Sequence, residues 1–125
     1  MQDITPTLKQ GKKLIGSYGN GGFKISGERF EGNVIILPDS VHGFNSQNIE
    51  DCTEADIAPV TDSADEIEIL LVGGGSVTKF FSPQIEKLLR SRSISIEYMD
   101  TGAAARTYNI LLSEERKVAV VLIAV

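Results

Sequence analysis

ISIEYMDTGAAARTYNILLS, residues 94–113, changes its apolar period in mid-run. Ile94, Ile96 and Tyr98 alternate with Ser95 and Glu97, the period of two expected of a strand with one face buried. From Thr101 the period becomes helical: at about 100° per residue, Ala104, Ala105, Tyr108, Leu111 and Leu112 gather on one stripe. Asp100 or Thr101 supplies the capping oxygen at the changeover. Upstream, Ile67–Val72 is a β-rich run that ends in Gly73-Gly74-Gly75-Ser76. Ser82-Pro83 then opens a helix, with a capping hydroxyl followed by proline at the first helical position. Ile85, Leu88 and Leu89 form its apolar face, and Lys87, Arg90 and Arg92 sit towards the end that the helix dipole makes negative. Downstream, Val118–Val125 is β-branched and apolar on both faces, as a central strand is. Strand, helix, strand, helix, strand with short loops implies right-handed crossovers and parallel pairing.

The first half has a different rhythm. Leu14–Tyr18 reads as a short strand, Asn20-Gly21-Gly22 as a turn and Phe23–Ser26 as a half-buried strand. Gly27-Glu28 turns the chain again. Arg29–Leu37 reads as one further strand, more deeply buried through Val34-Ile35-Ile36-Leu37 and ended by Pro38-Asp39. Residues 39–52 read as an irregular connection. Thr53-Glu54-Ala55-Asp56 has the form of a capping box, and Pro59 limits the helix that follows to a short, irregular one. Residues 1–12 are a polar lead-in. The fold class is therefore α/β: a central mixed sheet with helices packed on it and a small N-terminal antiparallel β unit, all within one domain, 1–125.

Composition narrows the function. The chain has 125 residues and a formal net charge of −5. An acidic surface repels a phosphate backbone, and Lys9, Lys12 and Lys13 form the one basic cluster, so nucleic acid is not an expected partner. Cys52 and His42 are the single cysteine and histidine. They leave no internal disulfide and no cysteine-rich zinc site, and a Cys52–His42 catalytic pair lacks any local signature. No cofactor is expected. The first ten residues lack the apolar core of a signal peptide, and the longest apolar run, Val118–Val125, falls far short of the roughly 20 residues that span a bilayer. A cytoplasmic protein that does not span a membrane is expected.

Several constellations are candidates for function. Gly73, Gly74, Gly75 and Ser76 lie between a strand and a helix, where backbone amides can cradle an anion; the same glycines also suit a tight turn. The dinucleotide fingerprint fails at Thr78, and the nucleotide P-loop fails because Lys79 is followed by Phe80. Thr101 lies at a second strand end, adjacent to the first if the two strands pair in parallel. Arg106 and Asn109 are placed on the helix face away from the apolar stripe, where Arg106 either fixes a carboxylate, phosphate or partner chain, or pairs with an acid such as Glu114 or Glu97. Glu50, Asp51, Glu54 and Asp56 lack calcium-loop spacing and read as a solvated run. Phe80-Phe81 reads as core or as a partner patch.

The stretches Ile69–Gly75, Ile96–Leu111 and Glu115–Ala119 together resemble the Mth-like conserved family of unknown function, a DUF-type group. Met99-Asp100-Thr101 and Arg106-Thr107-Tyr108-Asn109 are the most specific part of the likeness, which covers roughly residues 14–124. The resemblance implies a three-layer fold: a central mixed sheet, helices on one side, and a small β unit with a helix on the other. Many members read Gly-Thr-Gly at the turn, where this chain has Gly74 in place of the threonine. The family includes a mitochondrial assembly factor of respiratory complex I and a vertebrate relative linked to adipogenesis, and it has no settled enzyme activity. The resemblance, with the lack of a His-rich cluster, a nucleophile–base pair or metal spacing in the sequence, leads to a non-enzymatic binding or assembly module with a protein partner as the leading expectation. The alternative is an enzyme or sensor for a small anionic ligand at the Gly73–Ser76 and Thr101 edge. Self-association is a further option, because Ile110 lies off the main stripe of its helix.

Overall fold

The computed structural model describes residues 12–125 and the backbone of Gln2 and Asp3, so Lys9 and most of the polar lead-in lie outside the described residues. Strand β1 (Gln2–Asp3) joins β2 (Ile15–Gly19), β3 (Gly22–Ile25) and β4 (Glu28–Glu31) in an antiparallel sheet of that order. Both hairpins use two-residue loops with φ positive throughout: Asn20 at 56° and Gly21 at 79°, then Ser26 at 50° and Gly27 at 83°. That conformation matches the right-handed twist of the strands it joins, which is why Asn-Gly and Ser-Gly sit there.

The sequence predicts one strand over Arg29–Leu37; the structure cuts it at Gly32-Asn33. Gly32 has φ 81°, and the chain leaves the small sheet there to enter a second one as β5 (Val34–Leu37). Asn33 holds the corner. Its Oδ1 accepts from Ala124 N at 2.7 Å, and its Nδ2 donates to Ser46 O at 2.9 Å. The supposedly irregular 39–52 connection begins with a strand, β6 (Ser40–Gly43), paired to β5 across Pro38-Asp39. Its SVHG sequence has a single large apolar side chain, so the alternation that marks a strand is missing.

The remaining elements are α1 (Glu54–Thr61), a 3-10 turn (Ala64–Glu66), β7 (Ile69–Gly73), α2 (Pro83–Ser91), β8 (Ser95–Met99), α3 (Thr101–Ser113) and β9 (Val118–Leu122). The expected capping box is present: Thr53 Oγ1 accepts from Asp56 N, and Asp56 Oδ2 accepts from Thr53 N. Pro59 stays inside α1, only two residues before its end, where the proline costs one hydrogen bond and no continuing turn.

The large sheet has the order β6-β5-β9-β7-β8. β7 is parallel to both β8 and β9, while β5 is antiparallel to β9 and β6. The sheet is mixed, and β9 lies at its centre, as its unbroken apolar run predicts. Alternate residues of one strand enter different cores. Leu70, Val72, Ala119 and Val121 pack with Ile57 and Val60 of α1 and Ile85 and Leu89 of α2. Leu71, Val118, Val120 and Leu122 pack with Ala104, Tyr108 and Leu112 of α3 and with Ile15 and Phe23 of the small sheet. The three layers are α1 with α2, the large sheet, then α3 with the small sheet. No helix among the described residues is long and apolar enough to cross a membrane.

Candidate functional site

The Gly73–Ser76 turn and Thr101 meet where β7, β8 and β9 end together. Gly73 closes β7 under the first turn of α3: a Cβ on it would lie 2.9 Å from Thr101 Cα and 2.8 Å from Leu122 Cδ2. A Cβ on Gly74 would lie 2.7 Å from both Lys79 N and Val77 O, because the loop to α2 folds back over it. Gly75 takes φ 103°, which disfavours any side chain.

The Gly74 and Gly75 amides of this turn are engaged within the protein. Gly74 N donates to Met99 O at 3.0 Å. Gly75 N donates to Thr101 Oγ1 at 2.9 Å, and that hydroxyl donates onward to Ile123 O at 2.6 Å. Thr101 N returns to Gly75 O at 2.9 Å. Thr101 is fully buried and joins the ends of β7 and β9 to the start of α3. The cap of α3 is Asp100, whose Oδ1 accepts from Ala103 N at 2.8 Å. Ser76 is exposed beside these groups.

Arg106 and Asn109 part company. The sequence places both on the outer face of α3, but Asn109 is buried. Its Oδ1 accepts from Ile15 N at 3.0 Å and its Nδ2 donates to Ile15 O at 2.8 Å. The amide thus imitates a neighbouring strand for a residue of β2 next to a register shift, and its hydrogen-bonding capacity is what puts a polar group inside the core. Tyr108 works beside it, donating from its hydroxyl to Lys13 O at 2.9 Å. Burial pushes the Tyr108 hydroxyl above its ordinary pKa.

Arg106 is exposed, yet it is not paired with Glu114 or Glu97. Its Nη1 donates to Tyr18 Oη at 2.9 Å. Tyr18 reaches this point over Gly102, where a Cβ would lie 2.7 Å from the hydroxyl oxygen. Sequence reasoning misses Tyr18, since nothing local links it to a residue 88 positions away. One turn beyond Arg106 on the same face, Ile110 is 58% exposed.

The Phe80-Phe81 pair splits as well: Phe81 is core, whereas Phe80 is 58% exposed. The Phe80 ring lies 4.7 Å from that of Tyr98, with the planes at 60°. Tyr98 donates to Glu86 Oε2. Burial, with this bond to a carboxylate, pushes the Tyr98 hydroxyl above its ordinary pKa. Lys79 Nζ pairs with Glu50 Oε2 at 3.6 Å, so the acidic run helps to hold this loop.

Cys52 and His42 have separate partners. The Cys52 thiol is buried, donates to Thr53 O at 3.4 Å, and is pushed up to about 12 by burial and by the nearby Asp56. His42 Nε2 lies 3.0 Å from Ser40 Oγ. A thiol so reluctant to ionise is a poor nucleophile.

A family model described as "Protein of unknown function (DUF498/DUF598)" matches residues 15–123. Among named proteins, NADH dehydrogenase [ubiquinone] 1 alpha subcomplex assembly factor 3 of Mus musculus is 36% identical over 109 residues, covering 87% of this chain and 59% of that protein. The protein of the same name from Homo sapiens is likewise 36% identical, with the same coverage of 87% and 59%. The chain therefore spans well under two-thirds of the length of these relatives. Among solved structures, one described as an outer membrane protein from Bartonella henselae is 38% identical, with a TM-score of 0.85, covering 91% of this chain and 96% of that one. A Mth938-like domain from Bordetella pertussis is 26% identical, with a TM-score of 0.80, covering 98% of this chain and 92% of that one.

Proposed function

Because the chain belongs to the DUF498/DUF598 family, and relatives within reach of its sequence are named assembly factors, we propose that it is a non-enzymatic module that binds a protein partner during assembly of a larger complex. Biogenesis of a respiratory or membrane complex is the process this proposal names, with the cytoplasm as its setting. The binding surface in this proposal is the outer face of α3. The observation that carries it is the pairing of Arg106 with Ile110, one turn apart, both exposed on a helix whose opposite face is locked into the core. Arginine beside an exposed aliphatic side chain suits the centre of a protein interface, where arginine is enriched while lysine is depleted. Tyr18 holds the guanidinium in place before any partner arrives, which lowers the entropy lost on binding. The engaged amides of Gly74 and Gly75 further favour a surface role over an anion cradle at the turn.

The test is co-purification from cells of the source organism with tagged wild type, Arg106→Glu and Ile110→Asp. Lys87→Glu, on the opposite layer, is the control. The expected result is a partner retained by wild type and Lys87→Glu and lost by the two α3 variants, all with native circular dichroism. An unchanged partner set across the four proteins would overturn the proposal.

A further inference from the structure

Among the described residues the large sheet has two open sides, β6 and β8, and they are not equivalent. β8 ends the order β6-β5-β9-β7-β8 and has one neighbour, β7. Ser95 N donates to Glu68 O at 3.0 Å, and Met99 O accepts from Gly74 N at 3.0 Å, so Ser95 and Met99 direct these groups towards β7. Backbone groups alternate in direction along a parallel pair. Ile96 and Tyr98 therefore turn their N–H and C=O groups away from β7, offering two donors and two acceptors on the open side. An edge of this kind is a template for another strand, and proteins usually blunt it with proline, lysine, a bulge or a covering segment. β8, with the sequence SIEYM, has no proline or lysine and keeps unbroken register with β7.

The side chains on the two faces of this edge say what would fit. Ile96 and Tyr98 lie on the α2 side of the sheet, and there the exposed Phe80 ring extends the apolar surface of Tyr98 outward. On the other side, Glu97 is exposed at the centre of the strand. Antiparallel pairing of β8 with a second copy, centred on this residue, would set Glu97 against Glu97, and like charges directly opposite are destabilising. The same carboxylate favours a strand with a cation at that position.

We propose that the open edge of β8 accepts an extended segment of another protein as a sixth strand, with apolar residues towards Phe80 and Tyr98 and a lysine or arginine opposite Glu97. This rests on the chain being a binding module but is independent of the α3 face.

The test uses the full chain with two peptides, VKVKVK and VEVEVE, read by amide hydrogen exchange and fluorescence titration. VKVKVK should slow exchange at the Ile96 and Tyr98 amides and leave those of Ser95 and Glu97 unchanged, while VEVEVE should leave all four unchanged. Glu97→Lys should reverse the preference, and Phe80→Ala should weaken VKVKVK roughly tenfold through the lost apolar contact. Arg106→Glu should leave peptide binding unchanged, which separates this site from the α3 surface. Absence of protection at millimolar VKVKVK would overturn the proposal. So would protection of Ile96 and Tyr98 that rises with protein concentration and no peptide, since a second copy would then be the occupant.

Discussion

Replacing Asn109 with alanine removes the partner of two backbone groups at once. Ile15 is fully buried, and Asn109 satisfies its N–H at 3.0 Å and its C=O at 2.8 Å. A buried group left without a partner costs about 1–3 kcal/mol, so with two such groups the loss at this site should be about 2–6 kcal/mol. For a domain of this size that is a fall in Tm of roughly 10–20 °C. Urea unfolding followed by far-ultraviolet circular dichroism measures it, with an unchanged m-value confirming that both proteins unfold the same surface. Asn109→Asp sharpens the test. Its carboxylate still accepts from Ile15 N but turns an oxygen towards Ile15 O, a contact that only the protonated acid relieves. The folded state then binds a proton more tightly than the unfolded one, so the deficit of this variant relative to wild type should shrink as pH falls from 7 towards 4. A loss below about 1 kcal/mol for Asn109→Ala, or a deficit for Asn109→Asp that does not change with pH, would refute the clamp.

Gly73→Ala should cost about 1–3 kcal/mol by urea unfolding, since its methyl group would lie 2.9 Å from backbone at Thr101. The Cys52 thiol, pushed up to about 12, should react with iodoacetamide at pH 8 on the order of 10³-fold more slowly than a free cysteine, and ordinary reactivity in the folded state would contradict its burial. Tyr98 and Tyr108 hold their protons more tightly when folded than the ordinary value of 10, so stability should fall as pH rises beyond that value, with their ionisation at 295 nm appearing together with unfolding.

Local patterning made the C-terminal half legible. The period change at Asp100-Thr101 gives α3 its observed bounds, Thr101–Ser113, and Ser82-Pro83 opens α2 where a hydroxyl before proline should. What stayed hidden depends on contacts distant in sequence. Val34 follows Glu31 by three residues, and only the positive φ at Gly32 and the Asn33 link to Ala124 reveal that they belong to different sheets. Asn109 has the composition of an outward residue, and its inward role exists because β2 passes behind α3 with the N–H and C=O of Ile15 turned towards it. Among the candidate site residues, Gly73 and Thr101 are brought together as the parallel arrangement of β7 and β8 requires. Arg106 is brought to Tyr18, which no spacing rule could find.

The order of strands has a consequence for how the protein is made. β9 lies between β5 and β7, yet it is synthesised after both, and β5 must wait for some eighty residues to follow it. At roughly 5–20 residues per second, the nascent chain spends on the order of ten seconds with Val34–Leu37 and Ile69–Gly73 lacking the strand that unites them. Val118–Leu122 acts as a keystone delivered after the strands it joins: until it seats, the cores on both faces of the sheet lack their central strand, and the chain is most exposed to aggregation, proteolysis and chaperone capture just before it becomes stable.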